Sequence, residues 1–279
     1  MRIFGALLAA GAAERFGAPK LLLPAGALDT VLSRAIATML RAVDGEVLIV
    51  LPDRDDLHRA LIDGLPPARL RPLRNARSAQ GLGTSVAAAA AHALRSGADG
   101  LLLMPADLPM LPREHLAALV QAFRAERPWA AATEQAGPGT PAIFSRQALE
   151  RLLTLQGARG AKAVLCDAGD AVLMREALPE SLQDLDRWPA YAAAARTLGW
   201  AGEEPGPVAW QSDPPAVLPD AKRWRLGGGT QAVFAPGGGD GALRGWRSAE
   251  GDLLWTCGAP AAGLALLRAA ALRALRGER

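Results

Sequence analysis

Cysteine is nearly missing from this chain of 279 residues: Cys166 and Cys257 stand far apart, without CxxC spacing. That pattern excludes a disulfide scaffold and a cysteine-based zinc site. Histidine is as scarce. His58, His92 and His115 are widely separated, so a histidine metal cage is not expected either. Neither sign of charge dominates, with 31 Lys and Arg against 28 Asp and Glu, so a surface built to coat nucleic acid is not expected. Long apolar runs are lacking too. The stretch Met1 to Ala13 is too short to span a bilayer. It continues into Glu14, Arg15 and Lys20 rather than a small-residue cleavage site, which points to the cytoplasm and away from a membrane.

What the chain does have is an apolar half, enough to bury a core without staples. Strand and helix signals alternate from residue 1 to about 200. Ile3 to Ala9, Glu46 to Leu51 and Gly100 to Met104 read as interior strands. Leu70 to Leu73, Trp129 to Thr133, Ala142 to Phe144 and Ala171 to Met174 read as further strands. Helices are expected from Asp29 or Thr30 to Ala42, from Asp53 to Ile62, from Thr84 or Ser85 to Arg95, and from Pro112 to Arg124. Others fall near Arg146 to Leu155, Ala158 to Cys166 and Pro189 to Gly199. Such alternation predicts an α/β layer fold, Rossmann-like, with a mostly parallel sheet. Ligands then bind beyond the carboxyl ends of the strands.

Composition shifts near residue 202. Residues 1–201 read as one domain and 202–219 as a linker. Residues 220–279 read as a small accessory domain: short strands separated by glycines, closed by a helix from about Pro260 to Arg276.

Four segments carry candidate chemistry. Leu8, Ala9, Ala10, Gly11 and Ala12 end the first strand in small residues, whose backbone can approach an anion, and Arg15 and Lys20 add charge. Neither GxGxxG nor GxxxxGK[ST] is present there. Asp107 follows the Gly100 to Met104 strand, where a carboxylate can hold Mg²⁺ together with substrate phosphates; the competing role is a helix cap near Pro112. Asp184 and Asp186 share one face if extended, or cap the helix near Pro189. Gly81 to Ser85 opens a helix with free N–H groups.

Together these segments resemble the MobA-like nucleotidyltransferases, and among them the molybdenum cofactor cytidylyltransferase type. Leu8 to Lys20 is similar to the family's LAAGxSxRxGxxK signature. Gly81 to Ser85, Asp107-Leu108-Pro109, Gly139 to Phe144, Gly157 to Lys162 and Asp184 to Pro189 follow in the family's order. The likeness covers about residues 1–200. Departures are Ala13 for the signature Ser, Leu108 for Gln or Met, Thr140 for His or Asn, and Arg187 in the DTPED-like stretch. The resemblance implies transfer of CMP from CTP to phosphorylated molybdopterin with release of pyrophosphate. Arg15 and Lys20 would meet the triphosphate, and Asp107 and Asp186 would hold Mg²⁺. Leu8 to Ala12, Gly81 and Ser85 would hold the nucleotide, and Thr140, Pro141, Arg159 and Lys162 the acceptor. Ala9 and Ala10 resemble the form associated with CTP, where GTP users carry glycine. A molybdoenzyme receiving the cofactor is the implied macromolecular partner. Rival readings are a sugar phosphate or other phosphorylated metabolite as acceptor, a non-catalytic cofactor-binding or insertion protein, and an oxidoreductase on the same fold.

Overall fold

Strand β1, Ile3–Leu8, has the sequence IFGALL, with no polar side chain to turn toward water. Such a strand must be covered on both faces, and in the computed structural model it lies inside a seven-stranded sheet. The structure describes residues 1–11, 20–22, 25, 30–53, 68–186 and 188–198, and the strand segments 222–225, 231–235, 242–247 and 253–255. The helix expected from Asp53 to Ile62, the linker at 202–219 and the closing helix lie outside the described residues, Asp53 excepted.

The chain divides into two compact units, each discontinuous in sequence. The first comprises Met1–Gly11, Ala35–Arg54 and Pro66–Gln183; the second comprises Ala12–Arg34, Asp55–Leu65 and Asp184–Arg279. The first unit holds β1, β2 (Val47–Pro52), β3 (Leu70–Asn75), β4 (Gly100–Pro105), β5 (Ala130–Gln135), β6 (Gly137–Ser145) and β7 (Val172–Glu176). Their order is β3-β2-β1-β4-β6-β5-β7. All are parallel except β6, which runs against both of its neighbours, β4 and β5.

Helices pack on this sheet. One sheet face presents Phe4, Ala6, Leu48, Val50, Leu101 and Leu103, all fully buried. Against them lies α2, Leu82–Arg95, whose buried Val86, Ala89, Ala90 and Ala93 let the helix approach closely. Each buried Leu or Val contributes about 1.5–3 kcal/mol relative to exposure. Helix α1 is Val31–Ala42, and its start is closed reciprocally: Ser33 N–H donates to Thr30 Oγ1 at 3.1 Å, and Thr30 N–H to Ser33 Oγ at 2.8 Å. Helices α3 (Arg113–Glu126), α4 (Arg146–Leu152) and α5 (Ala161–Ala168) complete the first unit.

The second unit contains α6, Trp188–Thr197, and a separate antiparallel sheet ordered β11-β10-β9-β8. Its strands are β8 (Lys222–Arg225), β9 (Gln231–Ala235), β10 (Ala242–Arg247) and β11 (Leu253–Trp255).

Two local expectations are corrected. Thr84 and Ser85 do not cap α2; the helix opens at Leu82, with Gly81 before it and no side-chain cap. Both hydroxyls are instead taken by Asn75, whose Nδ2 donates to Thr84 Oγ1 and Ser85 Oγ at 2.9 Å each. Pro112 precedes α3 in extended conformation rather than forming its first helical residue.

The glycines at the start of α2 are there for packing. Gly83 N–H donates to Gly157 O at 2.9 Å. A Cβ on Gly83 would lie 2.6 Å from Arg159 O and 2.8 Å from Gln156 N; one on Gly81, at φ +116°, would lie 2.4 Å from the Gly157 carbonyl. Two backbone segments far apart in sequence therefore touch with no side chain between them. In an open helix, Gly→Ala would stabilise by about 1 kcal/mol, whereas forced overpacking costs about 1–3 kcal/mol. Backbone cannot swing aside as a side chain can, so the clash should win. Gly83→Ala is expected to lower the melting temperature, by about 2–4 °C per kcal/mol lost. An equal or higher melting temperature would show that the two loops separate without cost.

Candidate functional site

The parallel pairing of β1 with β4 ends with Leu8 opposite Pro105. Beyond that register, Ala106 N–H donates to Leu8 O at 3.2 Å, and Ala9 N–H donates to Val50 O at 3.0 Å. Ala9 to Gly11 and Ala106 to Asp107 therefore leave the sheet side by side at its carboxyl edge. Ala9 is buried, and Ala10 is partly buried against the core. Gly11 is exposed, with open space where a Cβ would stand. Asp107 is half-buried in the turn after β4. The N-cap position of α3 is held by Pro112 and not by Asp107.

Thr140 and Pro141 reach the same edge from β6. That strand runs against β4, with Ala142 opposite Leu103, so the residues before Ala142 extend toward the carboxyl end of β4. On its other side, β6 is bulged. Ala132 faces Ala142 but Thr133 faces Gly139, leaving Thr140 and Pro141 without partners on β5. Side chains replace the missing ladder. Gln135 Nε2 donates to Thr140 O at 3.0 Å, and the Thr133 hydroxyl donates to Pro141 O at 2.7 Å. Behind Thr133 stands His115 of α3, with Nε2 2.8 Å from Thr133 Oγ1. Burial pushes the His115 imidazole below its ordinary pKa, with the nearby Glu176 backbone pulling the other way to a lesser degree.

The fourth piece of this edge closes β3. Asn75 is buried opposite Pro52, the last residue of β2. Besides binding Thr84 and Ser85, it accepts from Arg77 N–H at 3.0 Å through Oδ1. Ser85 is buried, and Gly81 abuts the Gln156 to Gly160 loop. From that loop Arg159 projects into solvent and meets Asp167 at 3.4 Å; at such exposure the pair contributes little. Lys162, in the first turn of α5, is exposed.

The second unit brings Lys20 and Asp186 together. Lys20 Nζ donates to Asp186 Oδ1 at 3.3 Å, with only 13% and 27% of the side chains exposed. The residues assigned separately to phosphate and metal thus bond to each other, next to the buried Leu185. Ala12 and Arg15 lie outside the described residues. Among the described residues, no three His, Cys, Asp or Glu side chains gather into a metal cage. A carboxylate beside a loop of small residues suits instead a hard cation that arrives with phosphate ligands.

Sequence reasoning finds Leu8 to Gly11, Asp107, Thr140 and Pro141, and these do share one edge. It misses Asn75, Thr133 and His115. A polar residue closing the strand LRPLRN is a faint signal for Asn75; spacing offers none for the His115–Thr133 contact, which joins a helix to a strand. An open groove lined by Met1, Asp99, Trp129 and Arg146 lies at the opposite, amino edge of the sheet.

Known proteins share the fold. Residues 5–172, more than half of the chain, match the MobA-like NTP transferase domain. A probable molybdenum cofactor guanylyltransferase from Rhodopirellula baltica is 34% identical over 122 residues, 44% of this chain and 56% of that protein. The chain thus spans little more than half of that relative's length. Among solved structures, a nucleotidyl transferase from Methanothermobacter thermautotroptrophicus superposes with TM-score 0.59 at 21% identity, covering 71% of this chain and 97% of that one. A Mycobacterium tuberculosis protein solved with manganese gives 0.54 at 22% identity, covering 70% and 98%. Molybdopterin-guanine dinucleotide biosynthesis protein A from Archaeoglobus fulgidus gives 0.52 at 16%, covering 70% and 98%. At these identities the structural likenesses establish the fold. No described helix is long and apolar enough to cross a membrane. With its matching segment spanning β1 to the start of β7, the chain belongs to the MobA-like NTP transferase domain family.

Proposed function

We propose that this protein transfers CMP from CTP to a phosphorylated molybdopterin-type acceptor, releasing pyrophosphate. The observation that carries the reading is the placement of Asp107 beside the Ala9 to Gly11 loop at the carboxyl edge, in a chain of this family. The name of the Rhodopirellula baltica relative supports a molybdenum cofactor acceptor.

The reaction is an in-line displacement at the α-phosphorus. An acceptor phosphate oxygen forms the new P–O bond, and the bond to the pyrophosphate oxygen breaks. Charge builds on oxygens only, so positioning and charge neutralisation suffice without a covalent enzyme intermediate. Backbone N–H groups of the Ala10 to Gly11 turn are suited to a phosphate oxygen, since Gly11 leaves room for close approach. The sequence pattern assigns Arg15 and Lys20 to the triphosphate. Asp107 fits a Mg²⁺ ion bound through phosphates, which when present neutralises their charge; manganese in the Mycobacterium tuberculosis structure favours a divalent cation here. In this reading Thr140 and Pro141, on a bulge anchored from behind, receive the acceptor. The catalytic core in this reading is residues 1–201, with 202–279 accessory.

Pyrimidine choice rests on Ala9 and Ala10. A second reading, GTP as the donor, is favoured by the guanylyltransferase name of the relative. Incubation with each of four NTPs, Mg²⁺ and molybdenum cofactor, read as pyrophosphate release, separates the two. Turnover with CTP is expected; turnover with GTP alone transfers the case to the second reading. Ala9 is too buried to test cleanly, so the informative variant is Ala10→Gly. It should shift the CTP/GTP ratio of kcat/KM toward GTP by about 10- to 200-fold at most, the range for one methyl of shape difference. An unchanged ratio in a folded variant removes the basis for CTP.

Asp107→Asn should keep the parent melting temperature and lose turnover. Removing a metal carboxylate takes away several kcal/mol of transition-state stabilisation, about a hundredfold or more in rate. A rate near the parent's would strike Asp107 from the metal site.

A further inference from the structure

The bulge of β6 is held by a relay that begins on another element. Thr133 is fully buried, and its hydroxyl has a single hydrogen, which goes to Pro141 O at 2.7 Å. With that hydrogen on Pro141 O, the hydroxyl oxygen is left to accept at its 2.8 Å contact with His115, in the tautomer that protonates Nε2. That N–H occupies a lone pair of the hydroxyl and stops it from rotating away from Pro141. Pro141 O lies where β5 supplies no ladder bond, because the register steps from Ala132–Ala142 to Thr133–Gly139. Gln135 holds the neighbouring Thr140 carbonyl independently. His115 thus decides whether one of the two bulge carbonyls has a steady donor.

We propose that His115 is a positioning residue: acting through Thr133, it sets the Thr140–Pro141 bulge against which the phosphorylated acceptor binds. The inference rests on the transfer reading above for the identity of the ligand at the bulge, while the relay itself rests on the geometry alone. Losing the histidine donor leaves a buried hydroxyl oxygen unpartnered and its hydrogen free to turn. The bulge then samples other conformations, and acceptor binding weakens while nucleotide binding, on the β1 and β4 side, does not.

The test compares His115→Leu, His115→Gln, Thr133→Val and Thr133→Ser with the parent, using CTP, GTP and molybdenum cofactor. His115→Leu and Thr133→Val should raise KM for the acceptor roughly two- to tenfold, the worth of one hydrogen bond, with KM for the nucleotide unchanged. Thr133→Ser, which keeps the hydroxyl, and His115→Gln, which keeps an N–H donor, should recover much of the loss. Amide hydrogen exchange across Gly137–Ser145 should quicken in the two disabling variants and be restored in the two conservative ones. Both KM values rising together, or Thr133→Ser behaving as Thr133→Val, would overturn the positioning role. Unchanged exchange in His115→Leu would overturn the relay. A parent that turns over none of the nucleotides would sink the transfer reading instead, and the exchange measurement would then decide by itself whether His115 holds the bulge.

Discussion

The pairing of β1 with β4 is the constraint on which the rest of the edge depends. Six consecutive Cα pairs, from Ile3–Gly100 to Leu8–Pro105, lock two strands that are about a hundred residues apart in sequence. Because the strands are parallel, both chains leave the sheet at the same end, and a glycine-bearing loop emerges beside a carboxylate. A slip of one residue would turn every buried side chain of β1 to the opposite face. With Phe4 and Ala6 packed on one face and Ile3 and Leu7 buried on the other, that slip is heavily penalised.

Small residues then decide how closely the surrounding layers approach. Helix α2 lies on the sheet through alanines, and its first turn meets the Gln156 to Gly160 loop backbone to backbone. That contact spends the Gly83 N–H on a structural bond. At the same helix start Asn75 holds the hydroxyls of Thr84 and Ser85. The same economy appears in the β5–β6 hairpin, where Gln135 and Thr133 replace ladder bonds that the bulge removes. In both networks the buried groups, Asn75 and Thr133, have their hydrogen bonds met, as a low-dielectric interior demands.

The acidic and basic residues divide differently. Asp107 stands at the sheet edge and is not used as a helix cap, whereas Lys20 and Asp186 pair with each other in the second unit. A well-shielded lysine–aspartate contact fixes the direction of both side chains, so any ligand for either must share it or displace it.

Much of this was legible from the residues alone. Continuous apolar runs such as IFGALL and GLLLM read as strands covered on both faces, and their alternation with helices leads to a mostly parallel sheet. The parallel rule in turn points to the segments after β1 and β4, and the short strands of the tail follow from apolar stretches between glycines. These inferences are local, because hydropathy and strand direction are properties of a short segment. Only the tertiary structure showed that β6 runs against its neighbours, that Thr140 and Pro141 fall in a bulge, that Asn75 captures the two expected capping hydroxyls, and that His115 lies behind Thr133. Each of those depends on register between segments distant in sequence. A buried polar group takes whichever partner the packed backbone brings within about 3 Å, and no periodicity within one segment records that choice.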